Sequence, residues 1–322
     1  SAMVGDIIPP SRRGRAMTTP PPGRLGVGVV GAGRVGAVLG SALRAAGHAV
    51  VGASGISAAS RERIGAMLPG VPALEVPQVV ERAELVLLTV PDDALADLVA
   101  GLARLGAWHP GQIVVHTAGA HGVGVLAPAA AAGVIPLAIH PAMTFTGTSL
   151  DLARLVGATF AVTGPSPVLP IGQALVVEIG GDPVVVAEEA RPLYHAALAH
   201  GANHLVVLVA QAAQALAAAG VADPGAALAP LLGAALDGAL RAAPDAGVAS
   251  LTGPVVRGDA GTVAAHLDEL AALAARDPAA ADLPPTYRAL ARATTARALL
   301  GGRITPEQAE RLLDTIAGEA TR

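Results

Sequence analysis

Residues Leu25 to Gly36 read Leu-Gly-Val-Gly-Val-Val-Gly-Ala-Gly-Arg-Val-Gly: a short apolar strand running into a glycine turn, followed from Ala37 to Gly47 by the small-residue spacing of a helix. Each glycine of the turn has a mechanical reason. Gly31 permits the tight strand-to-helix turn, Gly33 lets the backbone approach a pyrophosphate, and Gly36 lets the helix pack closely on the strand. A pyrophosphate in that position faces the positive end of the helix. The bare pattern occurs in many loops. Directly after a strand, and at the head of an alternating strand–helix series, it marks a dinucleotide site; the competing reading is a glycine-rich turn over an empty crevice.

The second strand, His48 to Ala53, should end near the adenosine ribose, where an Asp or Glu would select the unphosphorylated cofactor. No carboxylate stands there. Ser54, Ser57, Arg61 and Arg63 follow instead, offering hydroxyls and guanidinium groups to a 2'-phosphate. The expected cofactor is therefore NADP, unless these arginines only solvate the next helix with Ser57 or Ser60 as its N-cap. Expected cofactor contacts are Gly31, Gly33, Arg34, Val35 and Gly36 in the turn, then Ser54, Ser57 and Arg61. Val90 and Pro91, and then Thr117 and Gly119, follow at the ends of later strands.

The chain has 322 residues and a formal net charge of −4, which suits two domains and argues against a general nucleic-acid surface. It has no cysteine, and all 21 basic residues are arginine. Disulfides, thiol nucleophiles, Schiff-base lysines and a P-loop lysine are thereby excluded, and the cytoplasm is the default location. Proton donors must come from the nine histidines, Tyr194, Tyr287, carboxylic acids or water. His204 to Ala222 carries no charged residue other than histidine. Gln211 and Gln214 interrupt it and no basic flank marks a cytoplasmic side, so we expect no membrane span but a helix buried all round, the spine of a helical domain or a dimer core.

Apolar runs at Leu85–Val90, Ile113–His116, Val134–His140, Thr159–Thr163 and Pro183–Ala187 alternate with helical patterns up to Glu188, and strand signals stop there. The expected fold is α/β: a doubly wound, mostly parallel sheet followed by an all-helical C-terminal domain. Residues 1–23, rich in proline and arginine, read as a flexible lead, 24–188 as the dinucleotide-binding domain and 189–322 as the helical domain.

These residues resemble a known family, the Rossmann-like proteins that carry the domain of unknown function 2520. The resemblance rests on the glycine motif, Val90-Pro91-Asp92-Asp93, His116-Thr117-Ala118-Gly119-Ala120-His121-Gly122 and His140-Pro141. Its more specific marks are Tyr194-His195-Ala196-Ala197, Ala202-Asn203-His204-Leu205-Val206 and the stretch from Leu251 to Asp259. It implies kinship with ketopantoate reductases, pyrroline-carboxylate reductases and 6-phosphogluconate dehydrogenases, which pair a Rossmann domain with a helical dimerisation domain. A homodimer through the helical domain and reduction of a small acidic carbonyl compound, ketopantoate among them, are the expectations that follow. One departure stands out: ordinary ketopantoate reductases place a lysine one turn before an asparagine, and here Ala199 precedes Asn203.

For the chemistry, Asn203 is expected to hydrogen-bond the substrate oxygen and His195 to donate a proton or orient the donor. Eight residues apart, they lie about 80° around and ~12 Å along an ideal helix. The alternative for His195 is an interdomain hydrogen bond beside Tyr194. His140, at a strand end fixed by Pro141, is a pocket-wall candidate; His116 reads as structural; His200 is a weaker candidate. Thr252, Arg257 and Asp259 form a loop in which Arg257 would fork a substrate carboxylate, unless Asp259 simply caps the following helix. No metal site is expected: His200 and His204 alone have helical ligand spacing, with no carboxylate to complete a set. Cyclic-imine reduction and a non-catalytic NADP(H)-binding regulator remain open as alternatives, as does a deazaflavin-dependent reductase.

Overall fold

The computed structural model describes residues 24–243 and 248–318; the expected lead over 1–23 lies outside them. The strands are β1 Gly26–Val30, β2 Ala49–Ser54, β3 Leu85–Leu88, β4 Ile113–His116, β5 Ile135–Pro141, β6 Thr159–Thr163 and β7 Asp182–Val185. They form one sheet in the order β2-β1-β3-β4-β5-β6-β7. All neighbours run parallel except β5 and β6. From β1 the chain winds first to one side and then, through β3, to the other. The crevice beyond the carboxyl ends of β1 and β3 is therefore the switch point at which such sheets bind ligands.

The helices between the strands are α1 Arg34–Ala45, α2 Ala58–Met67, α3 Val76–Arg82, α4 Asp92–Arg104, α5 Ala127–Ala130, α6 Leu150–Leu155 and α7 Leu169–Glu178, and α8 Arg191–Leu198 follows the last strand. Helices on both faces explain why β1 and β3 are apolar throughout and buried at every residue. Their side chains alternate between two cores. Val29, Leu87 and Val115 pack with Leu39, Leu43 and Phe160, whereas Val30, Val86, Leu88 and Val114 pack with Leu95, Val99 and Leu126. At the far edge His48 accepts from the Leu25 N–H at Nδ1 (3.1 Å) and donates from Nε2 to Glu178 (2.7 Å), pinning α7 to the start of β2.

Residues up to Leu198 form one compact unit and those from Ala199 a second. The second holds a π turn at Ala199–Asn203 and α9 His204–Ala218, α10 Pro224–Arg241, α11 Ala260–Arg276, α12 Leu283–Leu300 and α13 Pro306–Ala317. Its core is the α11–α12–α13 packing of Val263, Leu267, Ala291, Ala298, Leu312 and Ile316. The expectation that α9 is buried all round within the chain needs correcting. Gln211 is its one buried residue among those described, and Val206 is 69% exposed. One face of α9 is tied down: Gln211 donates to Asp282 (2.7 Å) and Thr286 (3.0 Å), and Gln214 donates to Asp277 (3.1 Å). The other face carries the apolar surface that the sequence assigned to a helical-domain or dimer core, and the described residues of the second unit leave it exposed. By length and composition the helical segment Glu188–Ala218 is apolar enough to cross a membrane. Seating the Asp277 and Asp282 carboxylates against that helix in hydrocarbon would, however, be costly.

Candidate functional site

The glycine turn sits at the switch point, and its backbone accounts for glycine at Gly31 and Gly36. Gly31 has φ +87°, a left-handed backbone that a side chain would strain. A Cβ on Gly36 would lie 2.2 Å from Thr89 Oγ1 and 2.6 Å from the Gly31 carbonyl, so only glycine lets α1 sit this close. A Cβ on Gly33 would meet nothing closer than 3.9 Å, which leaves open the face on which a phosphate would rest. The Thr89 hydroxyl donates to the Gly31 carbonyl at 2.6 Å, and the Gly31 N–H donates to Ser54 Oγ at 3.2 Å. Ser54 is thus buried support for the turn. The donor set and the open face fit a dinucleotide pyrophosphate.

Around the end of β2, Ser57 is the N-cap of α2 and accepts from the Ser60 N–H at 3.1 Å. Arg61 donates to the Ile56 carbonyl at 2.6 Å. Arg63 and Arg34 both border Gly147, whose Cβ would lie 2.9 Å from Arg63 Nε and 3.0 Å from Arg34 Cγ. Arg34 and Arg63 therefore meet at a turn that the sequence gave no reason to connect with them. The buried Asp151 carboxylate shapes that turn, accepting from the Thr146 N–H, the Gly147 N–H (both 2.8 Å) and the Thr146 hydroxyl (3.0 Å). Burial works to raise the Asp151 pKa, but the Gly147 and Thr146 bonds outweigh it and hold the carboxyl below its ordinary value. Val90 abuts the turn, 3.0 Å from the position of a Gly31 Cβ, and Pro91 is the N-cap of α4.

A second cluster lies beyond the ends of β4 and β5. His140 Nδ1 and the Tyr194 hydroxyl are 2.9 Å apart, with ring centroids at 5.5 Å edge to face, and His195 stands edge-on to His140 at 5.8 Å. Gly119 fits between them: a Cβ there would lie 3.0 Å from His140 Nε2 and 2.4 Å from His195 Cδ2. Glu188 fastens α8 against this loop by accepting from the N–H groups of Val123 (2.7 Å) and Gly124 (2.9 Å). Gly122 leaves room for that carboxylate, which a Cβ would meet at 2.1 Å. Burial, then the charges of Arg191 and His195, lower the His140 pKa to about 4, and burial raises that of Tyr194. A neutral imidazole beside a protonated phenol can pair in two ways: in the Nε2–H tautomer the Tyr194 O–H donates to Nδ1 and the His140 proton points toward Gly119, and in the Nδ1–H tautomer the bond runs the other way.

His116 is structural. It accepts from the Ala118 N–H at Nδ1 (3.2 Å) and donates from Nε2 to the Gly122 carbonyl (2.8 Å). Both nitrogens are committed, and burial is the leading reason that its pKa falls to about 4. Thr117 is half-buried at the same strand end, its N–H donating to the Leu88 carbonyl.

The remaining candidates belong to the second unit. Asn203 closes the π turn and is exposed. The ideal-helix spacing from His195 does not apply, since the π turn widens the helix at that point, a feature found often at functional sites. His200 and His204 pair through their Nδ1 atoms at 3.1 Å, and no set of three ligating side chains occurs among the described residues. Asp259 is the N-cap of α11, accepting from the Thr262 N–H (3.0 Å) and hydroxyl (2.7 Å). Its carboxylate thus serves the helix instead of gripping Arg257, which is exposed, as is Thr252. Sequence reasoning passed over Arg191, Glu188 and Asp151. For α8 the 188–191–195 spacing was the available signal, but the burial that makes it matter is tertiary.

Comparison with known proteins agrees with this architecture. The model of a Rossmann-like domain matches residues 14–141, and that of the domain of unknown function DUF2520 matches 158–294, the last two strands included. No curated protein matches the sequence. Among solved structures, BF3122 of Bacteroides fragilis, provisionally named an NADP oxidoreductase, is 21% identical at a TM-score of 0.68, covering 84% of this chain and 98% of its own. An imine reductase from Pseudomonas sp. is 20% identical at 0.60, covering 88% and 100%. Protein TM1727 of Thermotoga maritima is 21% identical at 0.57, covering 84% and 98%. At such identities the likeness speaks for the fold. With both domain models matched in order, the chain belongs to the family of Rossmann-like proteins carrying the domain of unknown function 2520.

Proposed function

We propose that this protein is an NADPH-dependent reductase of a small acidic carbonyl compound. The observation that carries the reading is a pyrophosphate-fitting glycine turn on the same sheet edge as a neutral imidazole backed by a phenol. Gly31, Gly33, Val35 and Gly36 would hold the pyrophosphate, and Arg34, Ser57, Arg61 and Arg63 the 2'-phosphate. The reduced nicotinamide, when bound, supplies a hydride to the carbonyl carbon. The chain's own task is then the proton. His140 donates from Nε2 to the oxygen that gains charge, while Tyr194 passes its proton to Nδ1, so the ring never has to become a cation in a site that disfavours one. His195 walls the other side of Gly119 and orients the substrate. On the second unit, Asn203, Thr252 and Arg257 are exposed and free to meet a ligand, with Arg257 the group suited to an acidic one, whereas Asp259 is held as the N-cap of α11.

We assign the protein to the cytoplasm as a homodimer through the helical unit, its second copy covering Val206, Val207 and Leu208 of α9 and the neighbouring groove of Leu216, Leu228 and Leu231. Light scattering of the purified protein tests that assembly; a monomer would exclude it.

The decisive experiment is NADPH oxidation, followed by nicotinamide absorbance, over a panel of 2-keto acids including ketopantoate. Cyclic imines belong in the panel, since a cyclic imine needs less help with its proton and the chain has no lysine. Turnover of a keto acid supports the reading. Tight NADPH binding with no turnover across the panel points to a regulatory protein, and no NADPH binding ends the redox reading.

A further inference from the structure

Arg191 opens α8 with its side chain fully buried. None of Nε, Nη1 and Nη2 has a hydrogen-bond partner among the described residues. A guanidinium offers five donors, and burying them unpaired costs several kcal/mol, a cost that folded proteins rarely leave uncompensated. Two of its neighbours are histidines held neutral, His116 and His140, which cannot balance it. Glu188 is the nearest acid, but its carboxylate is engaged by the N–H groups of Val123 and Gly124. Tyr194 remains. It lies three residues along α8, on the same helix face, and its hydroxyl is already joined to His140.

We propose that Arg191 is the counter-charge for a phenolate formed at Tyr194 during turnover. This rests on the reductase reading and deepens it. In the step, the substrate oxygen, having gained an electron pair with the hydride from the reduced nicotinamide, takes the proton of His140 Nε2. The Tyr194 O–H bond breaks and its proton moves to Nδ1. His140 ends neutral, as it began, and the negative charge rests on the phenolate beside Arg191 until water reprotonates it. The guanidinium has no hydrogen-bond partner among the described residues, and the phenolate would give it one, an interaction stronger in the transition state than in the ground state. Arg191 acts through Tyr194 and is a positioning residue. The groups that act on the phenol are His140 from β5, bonded to it, and Arg191 from its own helix; His116 from β4 and His195 lie beside His140, and Glu188 beside Arg191.

The test needs no substrate and no cofactor. In a Tyr287→Phe background, difluorotyrosine incorporated biosynthetically places one fluorinated phenol at Tyr194, ionising within the pH range of the folded protein, and its fluorine resonance reports the titration. Arg191→Met is expected to raise that midpoint by at least one pH unit, a tenfold weaker acid, and Arg191→Lys to restore most of it. Because no described protein group pairs with Arg191 before the phenolate forms, Arg191→Met should also unfold at the same or a higher temperature than the parent. An unchanged midpoint, or a Met variant that unfolds earlier or fails to fold, overturns the proposal by making Arg191 a structural residue. Failure of NADPH binding would instead sink the reductase reading and leave this titration standing.

Discussion

The glycine turn and the His140–Tyr194 cluster sit on one sheet edge and are built on opposite principles. The turn works by absence: a missing Cβ at Gly36 and an open face at Gly33 let backbone N–H groups reach a ligand, and the reason is written in one run of six residues. The cluster works by presence, and its members come from β4, β5 and the α8 segment. The first is local and reads directly from spacing. The second exists only after the chain has folded, because what matters is the burial that holds His140 neutral and leaves Arg191 without a partner among the described residues.

If the two regions divide the labour as described, binding and turnover should separate by mutation. His140→Asn removes the donor without touching the glycine turn. Turnover should fall about 1,000-fold while NADPH affinity measured by calorimetry stays within a factor of two. Tyr194→Phe should show a smaller loss, concentrated in kcat. A drop in NADPH affinity for either variant would break the division.

The cluster should also show itself in stability. His116 and His140 both have folded pKa values of about 4 against an ordinary 6.5. Between those values the unfolded chain binds more protons, so stability is present above pH 6.5 and falls as the pH drops toward 4. For the fully buried His116 this amounts to about 3 kcal/mol. Urea midpoints from pH 7.5 to 4.5 should trace the decline, and His116→Gln should flatten it while lowering stability at pH 7.5. A curve without that slope would mean that the cluster is wetter than its geometry implies.

The reverse separation comes from Gly36→Ala. The added methyl would press on Thr89 Oγ1 and the Gly31 carbonyl, and relief requires α1 to move away from the strand. NADPH binding should weaken roughly 100-fold, while the Tyr194 titration described above is unchanged.

The contrast also explains what the sequence could convey. The strands and their mostly parallel sheet follow from apolar runs that lie between helices, and Ile113–His116 and Thr159–Thr163 occupy the residues expected of them. His140 was legible because Pro141 closes its strand, and Gly119 because it lies just past the end of β4. Arg191 was not, since an arginine in the first turn of a helix ordinarily reads as solvated, and only packing against β4 and β5 removes it from water. Asp151 was missed for a like reason: its partners are the N–H groups of a turn whose place beside Arg34 and Arg63 is a tertiary fact. The exposed face of α9 is the converse. Its composition announces burial, but the described residues of its own unit do not supply the burying surface.

The smallest effect sharpens the turn itself, because it asks what the arginines around β2 recognise. Arg61 is partly engaged with the Ile56 carbonyl and Arg63 stands against the Gly147 turn, so each has a local role as well as a charge. If the charge reads a 2'-phosphate, Arg61→Ala combined with Arg63→Ala should weaken NADPH about tenfold, the scale of two partly exposed charge-assisted contacts, and leave NADH where it was. If the two arginines only brace the start of α2 and the Gly147 turn, both coenzymes should weaken together. Calorimetric titration of each coenzyme against parent and variant separates the cases. A common loss would keep the glycine turn as a dinucleotide cradle while removing the argument for the phosphorylated form.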